Sequence, residues 1–158
     1  SADSLLVGHA LAQCGARVPE VCEAMHRSQS RNEFDLLKLV YQNTRLSEDG
    51  RLAWSTVTYE EMQAAGCEAA VIDDQVEIPR SIEGTAVAIL FSEGDRGKIR
   101  MNFRGDGGVS ILELAQQFEG GGHSASAGAR LEGSMDEITA RVLPAAHEFV
   151  RNLPPATS

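Results

Sequence analysis

The sequence predicts an α/β fold: a mixed sheet with flanking helices, preceded by a purely helical segment. Three observations carry that prediction. Residues 1–46 space their apolar side chains as helices do and contain no strand-like run. Beyond the turn-forming Ser47-Glu48-Asp49-Gly50, short apolar runs alternate with helical ones. Three Ser/Thr-x-x-Glu capping boxes, opening at Thr58, Ser110 and Ser134, mark helix starts.

Taken in order, residues 3–15 read as a helix stopped by Gly15, and Pro19 suits the first turn of a second. Phe34, Leu36, Leu37, Leu39 and Val40 form the apolar stripe of a third helix, expected over 31–46. Residues 51–57 read as a strand, and Thr58-x-x-Glu61 opens a helix that Gly66 ends. Residues 69–73 (AAVID) read as a short buried strand. The stretch 74–84 reads as irregular or briefly helical, because Pro79 forbids a clean helix through it.

Residues 85–93 and 98–104, joined by Gly94-Asp95-Arg96-Gly97, predict a hairpin. Alternation then places Ile99, Met101 and Phe103 on one face and Arg100, Asn102 and Arg104 on the other. Arg104 ends its strand, immediately before the turn Gly105-Asp106-Gly107-Gly108. Ser110-x-x-Glu113 opens a short helix for Gly120 to end, residues 124–129 read as a strand, and Ser134-x-x-Glu137 opens a last helix to about Val150. Pro144 predicts a kink or an earlier end for that helix.

The totals bound the function. A chain of 158 residues holds one ordinary core. No apolar run approaches the ~20 residues of a membrane helix, and the first residues show no secretory signal. Cys14, Cys22 and Cys67 are odd in number and form no C-x-x-C pair, which suits structural thiols in a reducing cytoplasm rather than disulfides or zinc. The net charge of −9 opposes long-range attraction to a polyanion. It is uneven: from Arg96 to Arg130 there are five basic residues against three acidic ones.

Within that basic third lies Glu119-Gly120-Gly121-Gly122-His123-Ser124-Ala125-Ser126-Ala127-Gly128. Ordering three glycines costs about 0.5–1 kcal/mol each relative to alanine, so an ordered run needs a use. Without Cβ atoms, successive N–H groups can line one concavity for an anion, and His123 adds a directional donor. Glycines and histidine alone suit a mobile loop as well. No P-loop, dinucleotide fingerprint or G-x-S-x-G elbow is present. His9, His26, His123 and His147 show no metal-ligand spacing, and Asp73 and Asp74 read as a strand-end pair. Arg96, Lys98 and Arg100 read as a solvated strand more readily than as an extended groove.

The run FEGGGHSASAG resembles the F-G-G-G-G-H-x-x-A-[AS]-G motif of the C-terminal, DHH-associated domain of DHH-family phosphoesterases, among them the RecJ exonucleases and NrnA-type oligoribonuclease/pAp phosphatases. Residues 71–123 are similar to that domain across its hairpin and short helix, and residues 1–46 resemble the helical interdomain connector before it. The resemblance implies a connector at 1–46, a substrate-binding domain at 47–153 and a tail at 154–158. It implies that Arg104, Gly120, Gly121, Gly122 and His123 grip substrate. Partners would be a short single-stranded oligonucleotide or nucleoside bisphosphate and an N-terminal DHH domain, with no membrane and a homodimer left open. Two divalent metals, usually manganese, belong to that DHH domain. The D-H-H motif is not in this chain, which is therefore expected to bind no metal and to be inactive alone.

The chain departs from the family in Asn102-Phe103-Arg104-Gly105, where S-L-R-S is frequent, and in Glu119 at the first loop glycine. The resemblance leaves two rivals open: an RNA-binding module like those appended to some tRNA synthetases, and a cyclic- or linear-dinucleotide phosphodiesterase.

Overall fold

A computed structural model describes residues 1–27, 29–67, 71–106 and 108–154. Two compact units follow one another along the chain, Ser1–Arg31 and Asn32–Ser158. In the first, helix α1 (Ala2–Gln13) is capped by Ser1, whose hydroxyl accepts the Ser4 N–H at 3.3 Å. It ends ahead of Gly15, which takes the left-handed conformation. Helix α2 (Val18–His26) carries Pro19 in its first turn, where no intrahelical hydrogen bond is lost. None of the residues of α1 is buried.

The second unit opens with α3 (Arg31–Asn43), which buries Leu36 and Val40. It stops short of the predicted end. Thr44 Oγ1 donates back to the Val40 carbonyl at 2.6 Å, and Arg45–Leu46 becomes strand β1. Strand β2 (Leu52–Val57) pairs antiparallel with it through the predicted turn, where Gly50 is left-handed. Helix α4 (Tyr59–Ala65) has the predicted capping box at Thr58 and Glu61 and a left-handed Gly66 after it.

The predicted strand at 69–73 is not one. Ala69 and Ala70 lie outside the described residues; Val71 and Ile72 form a turn, and Asp73–Val76 is a 3-10 turn leading directly into α5 (Glu77–Arg80). Ile72 and Val76 are buried four residues apart, so the apolar signal was real but its period was helical. Pro79 is accommodated because it sits in the first turn of α5.

Strands β3 (Val87–Asp95) and β4 (Lys98–Gly105) form the predicted hairpin. The buried Glu93 carboxylate accepts the Gly97 N–H at 2.7 Å and the Tyr59 N–H at 3.1 Å, which fastens the hairpin turn to α4. Helix α6 (Leu112–Gln116) is shorter than predicted and lacks the Ser110 cap. The Ile111 N–H donates instead to the Ser124 carbonyl at 2.7 Å, tying the helix start to the turn between β5 (Gly121–His123) and β6 (Ser126–Glu132).

Helix α7 (Met135–Asn152) has the predicted Ser134/Glu137 box, whose hydrogen bonds hold the Glu137 carboxyl below its ordinary range. It runs through Pro144 rather than ending there. Ile138, Val142, Ala146 and Val150, buried at four-residue intervals, outweigh the one lost backbone bond.

The six strands lie in the order β1-β2-β3-β4-β6-β5, with only β2 and β3 parallel. One face packs Ile89, Phe91, Met101, Phe103 and Ala127 against α6 and α7. The opposite face packs Ala88 and Leu90 against α3, α4, α5 and the 3-10 turn. That second helical layer ends at β4.

Candidate functional site

Past β4, register places three rows on the uncovered face. Arg104 of β4 is aligned with Ser126 of β6 and His123 of β5. Asn102 is aligned with Gly128 and Gly121, and Arg100 with Arg130. Cross-strand partners share a face, so these side chains stand together.

The first row unites Arg104 and His123, the two sequence-predicted side chains. Their strands are separated by β6, about 10 Å apart at ~4.8 Å per strand. Only the short Ser126 side chain lies between them. Arg104 is pre-aimed: its Nε–H donates to Glu77 Oε1 at 3.1 Å, its Nη1–H to the Phe103 carbonyl at 3.1 Å, and its side chain is 18% exposed. Glu77 is itself held by Arg80, at 3.1 Å, and Arg80 reaches Asp106 at 3.5 Å. The Gly105 N–H donates to the Ala125 carbonyl at 3.0 Å, which fixes the end of β4 beside the turn that follows His123.

The three glycines do different things, and none builds the predicted concavity of successive N–H groups. The Gly120 N–H donates to the Ala115 carbonyl at 2.9 Å and the Glu119 N–H to Gln116 at 3.2 Å. That is the Schellman closure of α6, with Glu119 as its left-handed residue at φ 58°. Gly120, predicted to end this helix, supplies the closing N–H and is required for close packing as well. A Cβ there would lie 2.5 Å from the Gly128 oxygen and 2.7 Å from that of Ala115.

Gly122 combines φ 144° with a would-be Cβ 2.5 Å from the Ser126 oxygen. Gly121 meets nothing within 4 Å, so its missing side chain leaves open space. Residues 121–123 are an extended edge strand, in which successive N–H groups alternate in direction.

Beside Gly120 and Gly121 lies a cleft of about 390 Å³, bounded also by Glu119, Gly128, Arg100 and Arg130. Asp73 supports its arginine row: one carboxylate oxygen accepts from Arg100 at 2.7 Å and the other from the Asn102 amide at 3.2 Å. The predicted strand-end aspartate is thus the anchor of two residues on the open face. Of the other basic residues, Arg96 pairs with Glu60 at 2.7 Å and covers the Tyr59 ring, and Lys98 pairs with Asp95 at 3.7 Å. Among the described residues no group of three or more His, Cys, Asp or Glu side chains comes together.

Sequence reasoning missed Glu77, Asp73 and Arg130. A signal existed for the acids: Asp73 and Glu77 stand four apart, a helical spacing, but the expected strand and irregular stretch concealed it.

Comparison with known proteins identifies the family. The model of the DHHA1 domain matches residues 54–152. The bifunctional oligoribonuclease and PAP phosphatase NrnA of Thermus thermophilus is 38% identical over 77 residues, covering 48% of this chain and 24% of that protein. An exopolyphosphatase-related protein from Bacteroides fragilis superposes with a TM-score of 0.84 at 22% identity, over 96% of this chain and 44% of that one. A pGpG-specific phosphodiesterase from Vibrio cholerae, PggH, gives 0.56 at 16% identity, over 96% and 51%. These two show the fold alone. The chain spans about half or less of the length of the relatives it matches. With the model matched from the second strand to the last helix, the chain belongs to the DHHA1 domain family.

Proposed function

We propose that this chain is the substrate-binding part of a DHH-family phosphoesterase that hydrolyses short oligonucleotides and 3′-phosphoadenosine 5′-phosphate. The row Arg104, Ser126, His123 carries the reading. It sets a planar, pre-aimed guanidinium and an imidazole on either side of a small residue. Arg104 pairs with phosphate oxygens through its fork, and His123 donates from the far side. Gly121 adds no side chain to obstruct a nucleotide.

Phosphate and backbone contacts carry no sequence information, so base preference is low. In the longer protein, two divalent metals, manganese in this family, would activate the attacking water from a separate DHH domain. This chain's residues bind and orient the phosphate for that attack. The similarity to NrnA supports the substrate class.

Heteronuclear NMR titration with 3′-phosphoadenosine 5′-phosphate and with a dinucleotide, no metal added, tests the site. Expected are shifts at Arg104 and at Gly121 to His123. Replacing Arg104 or His123 with alanine should weaken binding by roughly ten- to a hundredfold, the loss of a charge-assisted contact. An unshifted spectrum at millimolar ligand, or unchanged affinity in both variants, removes the assignment.

A further inference from the structure

The row of Arg100 and Arg130 has no part in that phosphate site. These residues are register partners on the uncovered face, and like charges directly opposite one another destabilise a sheet. Asp73 neutralises Arg100 at 2.7 Å. Arg130 is exposed and makes no ion pair among the described residues. Guanidinium carries five N–H donors, so Arg100 keeps donors free of Asp73. The pair also sits where two clefts meet, one of about 390 Å³ toward Gly121 and one of about 550 Å³ toward Lys98. Between this row and the row of Arg104 lies only Asn102, with Gly128 and Gly121 beside it. Asn102 is 6% exposed and held down by Asp73.

We propose that Arg100 and Arg130 form a second anion subsite, which takes a further phosphate of the same single strand and favours ligands of three or more nucleotides. This rests on the phosphate site at Arg104 and His123. The two rows are four residues apart along β4, about 13–14 Å at ~3.4 Å per residue. A peptide repeat of three backbone bonds spans at most ~3.5 Å, so a sugar-phosphate repeat of six spans roughly 7 Å. Two repeats cover the gap, and one does not. The phosphates of 3′-phosphoadenosine 5′-phosphate, or of pApA, are one repeat apart; the first and third of pApApA are two apart. The Glu119 carboxylate borders the nearer cleft and opposes the anion without closing it.

Calorimetric titration of the whole chain with 3′-phosphoadenosine 5′-phosphate, pApA and pApApA decides the matter. The unaltered chain should bind pApApA on the order of tenfold more tightly than pApA. Arg130→Gln, an exposed change that the fold tolerates, should remove most of that ratio. It should also lower the slope of log affinity against log salt for pApApA by about 0.7, one phosphate contact on a single strand. Arg130→Lys, which keeps the charge, should retain the slope. A length ratio and slope untouched by Arg130→Gln overturn the subsite while leaving the site at Arg104 standing. An Arg104→Ala variant that binds all three ligands normally, or an unaltered chain that binds none of them, overturns both.

Discussion

The two halves of the sheet are built from the same kind of strand and finished differently. Around β3, helices cover both faces: Ile89 and Phe91 lie under one layer, Ala88 and Leu90 under the other. Around β6, only one face is covered, and the other carries Arg130, Gly128 and Ser126. The row of Leu90, Asn102, Gly128 and Gly121 crosses from one half to the other. It passes from a fully buried leucine through a buried, hydrogen-bonded amide to two glycines. The change occurs at β4, where Asp73 and Glu77 grip Arg100, Asn102 and Arg104. A sheet keeps an open face where a helical layer ends, and here the last turn of that layer turns acids toward the cations at the border.

If that contrast is right, substitutions along this row must fall steeply in effect. Leu90→Ala should cost about 2–5 kcal/mol of stability in urea unfolding, the range for a buried leucine. A loss near zero would mean that the covered half is not packed as described. The paired glycines sharpen the comparison within one loop. Gly120→Ala drives a Cβ into two backbone oxygens and should cost about 1–3 kcal/mol. Gly121→Ala, with open space around it, should stay within about 0.5 kcal/mol. Equal losses at the two positions would refute the division of labour among the three glycines.

One further effect should have the opposite sign. Glu119 occupies a left-handed position at φ 58°, and Glu119→Gly relieves about 1–2 kcal/mol of backbone strain against about 0.5–1 kcal/mol of added chain entropy. A gain of up to about 1.5 kcal/mol should appear in urea unfolding. Because the variant also removes a carboxylate from the edge of the cleft, anion affinity should rise by up to about fivefold. A destabilised Glu119→Gly would show that the glutamate makes a contact that this geometry lacks.

Much of this was legible beforehand because it is local. The hairpin, the boxes at Thr58 and Ser134 and the alternation of Ile99 to Arg104 each depend on residues within a few positions of one another. The failures were places where distant chain supplied the partner. Ser110 lost its cap because the Ile111 N–H found the Ser124 carbonyl. Pro144 did not end its helix because four buried side chains held it. The stretch around Ile72 reads by itself as a short buried strand, because its helical partner, Val76, falls in the stretch through which Pro79 forbids a clean helix.

By itself the sequence determined the fold class and, through the run FEGGGHSASAG, pointed to the family and to Arg104 and His123. Capping, alternation and the glycine-histidine run are short-range patterns, and their physics is complete within a few residues. Only the tertiary structure decided that Arg104 and His123 share a row, that Glu77 aims the first of them, and that Arg100 is opposed by Arg130. Register and the end of a helical layer set those relations. Both depend on how strands 20 to 30 residues apart are brought side by side, a quantity that no local pattern encodes.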